Sequence, residues 1–292
     1  MLRPRHDGPA TPVEVRRHGA AAPGAPKVLF LHGLAGNDTM WQRAADVLGP
    51  GREIWLGRLP WRGQGLADWG RDPDLGGWVE QALLAVPGGP DVVVAHSMTS
   101  NVLLELLDQA SRAAEDPFAR FGVRALVLVA PFYRARPDAF DWATISYYLN
   151  DFHLILREGI HVQSRARISP ETEIAMAERV REWIGPAGWV RFFDLYLRTP
   201  DLQTARITAP CLVIGGARDF AAPPDNATAL AGALPDARLR VLADSGHFPM
   251  VDEPELFGAE LQAFFDSVLV PREALGTRPR PAGPLSTETR RE

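Results

Sequence analysis

The chain has 292 residues, 46% hydrophobic and 23% charged, with a formal net charge of −5 and a single cysteine. That length is too great for one small domain and short for two large ones, and the hydrophobic fraction excludes wholesale disorder. The lone Cys211 excludes an intramolecular disulfide framework and a multi-cysteine zinc site. Both termini carry an excess of arginine, so the body between them is more acidic than the whole. Such a body offers no phosphate-neutralising surface, and nucleic acid is not an expected partner. No apolar run reaches the roughly 18 residues of a membrane span, and no membrane partner is expected. The start, MLRPRHDGPATP, has basic residues but no apolar segment behind them and does not read as a secretory signal. The expected location is the cytoplasm.

Taken in chain order, short apolar runs alternate with helical patterns. Lys27–Leu31, Ile54–Leu56, Asp91–Ala95, Ala125–Ala130 and Cys211–Ile214 are continuous runs rich in Val, Leu and Ile. Runs without alternation suit strands buried on both faces of a parallel sheet. Arg238–Leu242 alternates, as a strand nearer the sheet edge would. Helical patterns lie at about 39–48, 75–86, 98–112, 225–234 and 253–268. This alternation predicts an α/β fold, a mostly parallel sheet with helices on both faces. Residues 132–206 break the rhythm with aromatic-rich helical patterns and no comparable strand. Ser169-Pro170-Glu171 is a helix start, with Ser as N-cap, Pro in the first turn and Glu at the positive dipole end. That helix is expected to stop at Gly185-Pro186. The division expected is therefore a core of 1–131 and 207–270, a helical cap over 132–206 and a solvated tail over 271–292.

The sharpest chemical feature is Asp91-Val92-Val93-Val94-Ala95-His96-Ser97-Met98-Thr99-Ser100. A buried strand ends, a serine follows at once, and a helix begins. This places the Ser97 hydroxyl at the carboxyl edge of the sheet, with the Met98 N–H at a helix N-terminus, where an oxyanion is favoured. The segment resembles the nucleophile elbow of the α/β-hydrolase superfamily, usually G-x-S-x-G. Here both glycines are replaced, by the small Ala95 and the larger, β-branched Thr99. The resemblance extends to Phe30-Leu31-His32-Gly33-Leu34-Ala35-Gly36, which looks like the loop that supplies the second oxyanion donor, here the Leu34 amide. It extends also to Val213–Asp219, where the family places its triad carboxylate, and to Asp244–Pro254, where it places its histidine. By this resemblance the triad is Ser97, Asp219 and His247, in the chain order the fold requires. Asp225 and Asp244 remain alternative acids.

What the resemblance implies is a serine esterase-like hydrolase. His247 takes the Ser97 proton, Asp219 holds the imidazole, and an acyl-enzyme forms and is hydrolysed, with no metal or organic cofactor required. A serine at the elbow favours acyl chemistry over the alkyl-ester chemistry of family members with aspartate there. The expected partner is a hydrophobic small-molecule acyl substrate; the sequence says nothing of oligomeric state. A thioesterase or acyltransferase with the same triad and a non-catalytic ligand-binding homologue are the alternatives. The aromatics of the cap are expected either to pack it onto the core or to line a roomy apolar pocket. Phe132, Phe220 and Phe248, which follow strand ends or triad residues, are the stronger pocket candidates; Trp142 and Tyr147 are further ones.

Overall fold

The computed structural model describes residues 13–61, 69–150, 153–164 and 168–269. The expected tail, 271–292, lies outside them. The strands are β1 (Glu14–His18), β2 (Lys27–Leu31), β3 (Glu53–Arg58), β4 (Val92–His96), β5 (Ala125–Val129), β6 (Cys211–Gly216) and β7 (Ala237–Leu242). They form one sheet in the order β1-β3-β2-β4-β5-β6-β7. Only β1 runs antiparallel, against β3; every other pair is parallel.

The continuous apolar runs have a simple cause. Successive strand side chains point to opposite faces. Leu29, Leu31, Val93, Ala95, Leu126 and Leu128 therefore pack into one core. Their neighbours Val28, Phe30, Val92, Val94, Ala125 and Val127 pack into another on the opposite face. Each fully buried aliphatic side chain contributes about 1.5–3 kcal/mol of transfer free energy, so neither face of the inner strands tolerates a polar residue. β7 is the edge strand its alternation suggested, with exposed Arg238 and Arg240 on either side of the half-buried Leu239. β1 has no apolar run at all. It is a charged edge strand, and its Arg16 joins Arg58 in pairing with the buried Asp38.

The helices are α1 (Gln42–Leu48), α2 (Gly76–Ala85), α3 (Met98–Arg112), α4 (Pro117–Phe121), α5 (Trp142–Asn150), α6 (His153–Ser164), α7 (Pro170–Leu197), α8 (Pro224–Ala233), α9 (Pro249–Asp252) and α10 (Pro254–Val268). α1 and α10 cover one face of the sheet, while α2, α3 and α8 cover the other. α5, α6 and α7 lie between β5 and β6 in sequence, and among the described residues no strand interrupts them. Ser169 caps α7, accepting from the Thr172 amide at 3.3 Å. The expected stop at Gly185-Pro186 is a break within the helix. Gly185 sits at φ 64°, ψ 168°, and helical turns resume to Leu197. Among the described residues, no helix is long and apolar enough to cross a membrane.

Candidate active site

β2, β4, β6 and β7 are parallel, so the loops that follow them gather at one edge of the sheet. Ser97 stands directly after β4 at φ 55°, ψ −129°, a backbone conformation disfavoured for a side-chain-bearing residue. The turn is held by its neighbours. The Ser97 amide donates to Val129 O at 2.8 Å, and the Ser100 hydroxyl donates to Ala95 O at 2.8 Å.

The three residues named from the resemblance come together. His247 Nε2 lies 2.9 Å from Ser97 Oγ, and His247 Nδ1 lies 2.8 Å from Asp219 Oδ2. A carboxylate only accepts, so Nδ1 carries the proton and Nε2 is free to accept from the serine hydroxyl. Asp219 Oδ1 accepts from the Ala221 and Ala222 amides, both at 2.8 Å, which fixes the carboxylate toward the histidine. Gly216 permits this approach of two loops: a Cβ there would fall 2.1 Å from Gly246 O. The alternative acids are used elsewhere. Asp225 lies in the first turn of α8, and Asp244 pairs with Arg218.

His247 is buried. Burial works against the imidazolium, but the Asp219 charge and hydrogen bond, with Glu158 and Asp252 beyond, outweigh it and hold the group above the usual histidine range. His96 behaves oppositely. Burial and the adjacent His247 hold it well below the usual range, so it is neutral, and its Nε2–H donates to His247 O at 2.8 Å.

The His32-Gly33 loop lies over the serine. His32 Nδ1–H donates to Gly33 O at 2.8 Å, while Nε2 accepts from the Leu59 amide at 3.0 Å. A Cβ on Gly33 would stand 2.8 Å from Ser97 Cβ, so only glycine lets this backbone come so close. Leu34 lines the cleft beside Ser97, and Met98 is the first residue of α3. Thr99, the departure from the usual elbow glycine, is fully buried and doubly bonded. Its hydroxyl donates to His32 O at 2.6 Å and accepts from Trp61 Nε1 at 2.8 Å. Threonine thus ties the elbow to the loop above it.

Of the pocket candidates, Phe132 and Phe248 line the cleft with Ser97 and His247. Asn101 pins Phe132 through both its carbonyl and its amide. Trp142, Tyr147 and Phe220 are not brought to the cleft. Trp142 is 84% exposed at the start of α5. Tyr147 spends its hydroxyl on Phe220 O at 2.9 Å, tying α5 to the Asp219 loop. Phe220 points outward, beside Leu154 and Glu158. Being next to Asp219 in sequence did not aim its ring inward: the loop is held by the Ala221 and Ala222 amides that donate to Asp219.

The roof of the cleft was not foreseen. Ile155, Leu156 and Ile160 of α6 and Val180 and Phe192 of α7 close it. The i, i+1, i+4, i+5 spacing of Ile155, Leu156, Gly159 and Ile160 is the signal that could have found this face. The remaining space is ≈ 70 Å³, so the cleft is narrow and not roomy. Glu158 was missed as well. From α6 its Oε1 lies 3.5 Å from the His247 amide, and its Oε2 is buried with no partner among the described residues. Burial pushes its carboxyl up to about 6, with His247 pulling the other way and Asp219 and Asp252 adding to the rise.

Comparison with known proteins places this site in context. The alpha/beta hydrolase family profile matches residues 28–260. The pimeloyl-[acyl-carrier protein] methyl ester esterase of Aromatoleum aromaticum is 28% identical over 249 residues, covering 79% of this chain and 94% of that protein. The putative non-heme bromoperoxidase BpoC of Mycobacterium tuberculosis is 40% identical over only 96 residues, 27% of this chain and 37% of that protein. Among solved structures, an esterase from Exiguobacterium antarcticum superimposes with a TM-score of 0.64 at 18% identity, covering 87% of this chain and 95% of that one. Est816, described as an N-acyl homoserine lactone degrading enzyme, superimposes at 0.62 with 19% identity, covering 86% and 97%.

Proposed function

Because the chain belongs to the alpha/beta hydrolase family, we propose that it is a serine hydrolase that cleaves a carboxylic ester of a hydrophobic small molecule through an acyl-enzyme. The observation that carries this reading is the hydrogen-bonded series Ser97–His247–Asp219, at 2.9 and 2.8 Å, at the base of an apolar cleft.

In this reading Ser97 Oγ attacks the acyl carbon as its proton passes to His247 Nε2. The carbonyl π electrons move onto oxygen, where the Leu34 and Met98 amides receive them; one such donor is worth about 3 kcal/mol of barrier. The oxyanion collapses, the C–O bond to the alcohol breaks, and the alcohol leaves with the proton from Nε2. Water then attacks the acyl carbon and gives a proton to Nε2. That proton returns to Ser97 Oγ as the carboxylic acid departs. Asp219 holds the Nδ1–H tautomer and stabilises the imidazolium throughout. The helices over 132–206 act as a cap that closes the cleft from water. The methyl ester esterase relative supports ester over thioester chemistry.

The test is Ser97→Ala. It abolishes labelling by a fluorophosphonate probe and lowers ester turnover on the order of 10⁴-fold or more. Undiminished turnover in that variant refutes the reading.

A further inference from the structure

Two cavities lie on either side of one leucine. The first is the ≈ 70 Å³ cleft over Ser97. The second, of ≈ 500 Å³, is a hollow among α5, α6 and α7 that opens to solvent; Leu149, Leu156, Ile184, Pro186 and Trp189 line it, together with the polar Asn150, His153, Arg181 and Glu182. Leu156 is shared by both walls and is only 7% exposed. Its side chain is therefore the partition between them.

The chamber has a cause in the chain. At Gly185 the backbone leaves the helical region, and Pro186 cannot donate the amide hydrogen that would continue the ladder. Ile184, Gly185 and Pro186, at the break, all line the hollow.

The volumes decide what each space can hold. Ligand pockets commonly measure roughly 300–1,000 Å³, so the chamber has the size of a binding site and the cleft does not. The apolar part of its lining, Leu149, Leu156, Ile184, Pro186 and Trp189, suits an alkyl or aryl arm, while Asn150, Arg181 and Glu182 are exposed to solvent. A substrate bonded to Ser97 enters the chamber only past Leu156. We infer that Leu156 is a specificity-determining residue that limits the length of the ester's apolar arm, and that the chamber behind it is a subsite for a longer arm once that side chain is removed. This inference rests on the hydrolase reading above.

The test compares kcat/KM for two series, p-nitrophenyl esters of C2 to C10 acids and acetate esters of C2 to C10 alcohols. The wild type is expected to prefer the shortest members of both. Leu156→Ala is expected to raise the C8-to-C2 ratio about tenfold or more in the series whose arm lies under α6. Leu156→Val removes less volume, gives a smaller shift in the same direction, and carries the test if the alanine variant does not fold. Leu149→Trp, placed in the Leu156→Ala background to fill the chamber, should reverse the gain. Normal ester turnover with unchanged ratios in both folded Leu156 variants overturns this inference alone. Failure of the wild type to turn over any ester, together with no labelling of Ser97, overturns the hydrolase reading and this inference with it.

Discussion

Ser97 sits on a backbone conformation that costs about 1–3 kcal/mol, and the surrounding bonds from Ser97 N and Ser100 Oγ hold it there. His247 beside it is surrounded by Asp219, Glu158 and Asp252 on one side and the neutral His96 on the other. In the proposed mechanism His247 accepts the serine proton only when neutral. Since its protonated form is favoured above the usual histidine value, kcat/KM should fall as pH drops through a point above about 6.5. Asp219→Asn removes the main stabilising charge, so the acid limb should move to lower pH while the plateau falls about 10³–10⁴-fold. A pH–rate profile checks both; an unmoved acid limb contradicts the assignment of Asp219. Cys211, in contrast, is buried in β6, where burial and then Asp236 push its thiol up to about 12. It remains a neutral apolar residue and is no rival nucleophile.

At the scale of elements, the site is a set of strand ends held at fixed distances. The apolar runs at 27–31, 91–95, 125–130 and 211–214 identified β2, β4, β5 and β6 because burial on both faces leaves an unmistakable pattern. β1 was illegible: an exposed, charged edge strand has no such pattern, and only pairing with β3 defines it. The elbow was legible from the strand–serine–helix order, but the role of Thr99 was not. It depends on Trp61 and His32, which meet it only in the folded chain. Thr99→Val keeps the shape and leaves Trp61 Nε1 and His32 O without this partner. It should cost about 1–3 kcal/mol in denaturant unfolding, with kcat reduced as the His32-Gly33 loop loosens. A variant as stable and active as the wild type would show that the hydroxyl does not hold the two loops together.

For the molecule as a whole, the insert and the core are joined by more than apolar contact. Tyr148 donates to Ala221 O at 2.7 Å, and Tyr196 donates to Asn226 Oδ1 at 2.9 Å. Glu158 brings a carboxyl from the insert against the His247 loop. Its ionisation is disfavoured in the folded state, with a value raised from 4.5 to about 6. The sign follows directly. The native state binds this proton more tightly than the unfolded chain, so the associated stability is complete below about pH 4.5 and lost as pH rises through 6. Glu158→Gln, which mimics the protonated form, should match the wild type near pH 4. Near pH 8 it should exceed it by about 1 kcal/mol, an amount reduced for partial solvent screening. Thermal melts of both proteins across this range measure the difference; a gap that does not change with pH would rule out Glu158 as its source.

By itself the sequence determined the inner strands, the longer helices of the core and the chain order Ser97, Asp219, His247, because each depends on local patterning: burial on both faces, helical periodicity, and loops that follow parallel strands. It also marked 132–206 as a stretch without any strand-like run. Only the tertiary structure decided which aromatics reach the cleft, that the cleft is narrow, that Leu156 lines it, and that Glu158 meets the His247 amide. Those outcomes depend on how α6 and the broken α7 settle on the core. That is fixed by contacts between residues far apart in the chain, such as Tyr147 with Phe220 and Glu158 with His247. Helical periodicity says which side chains share a face, but not what that face will meet.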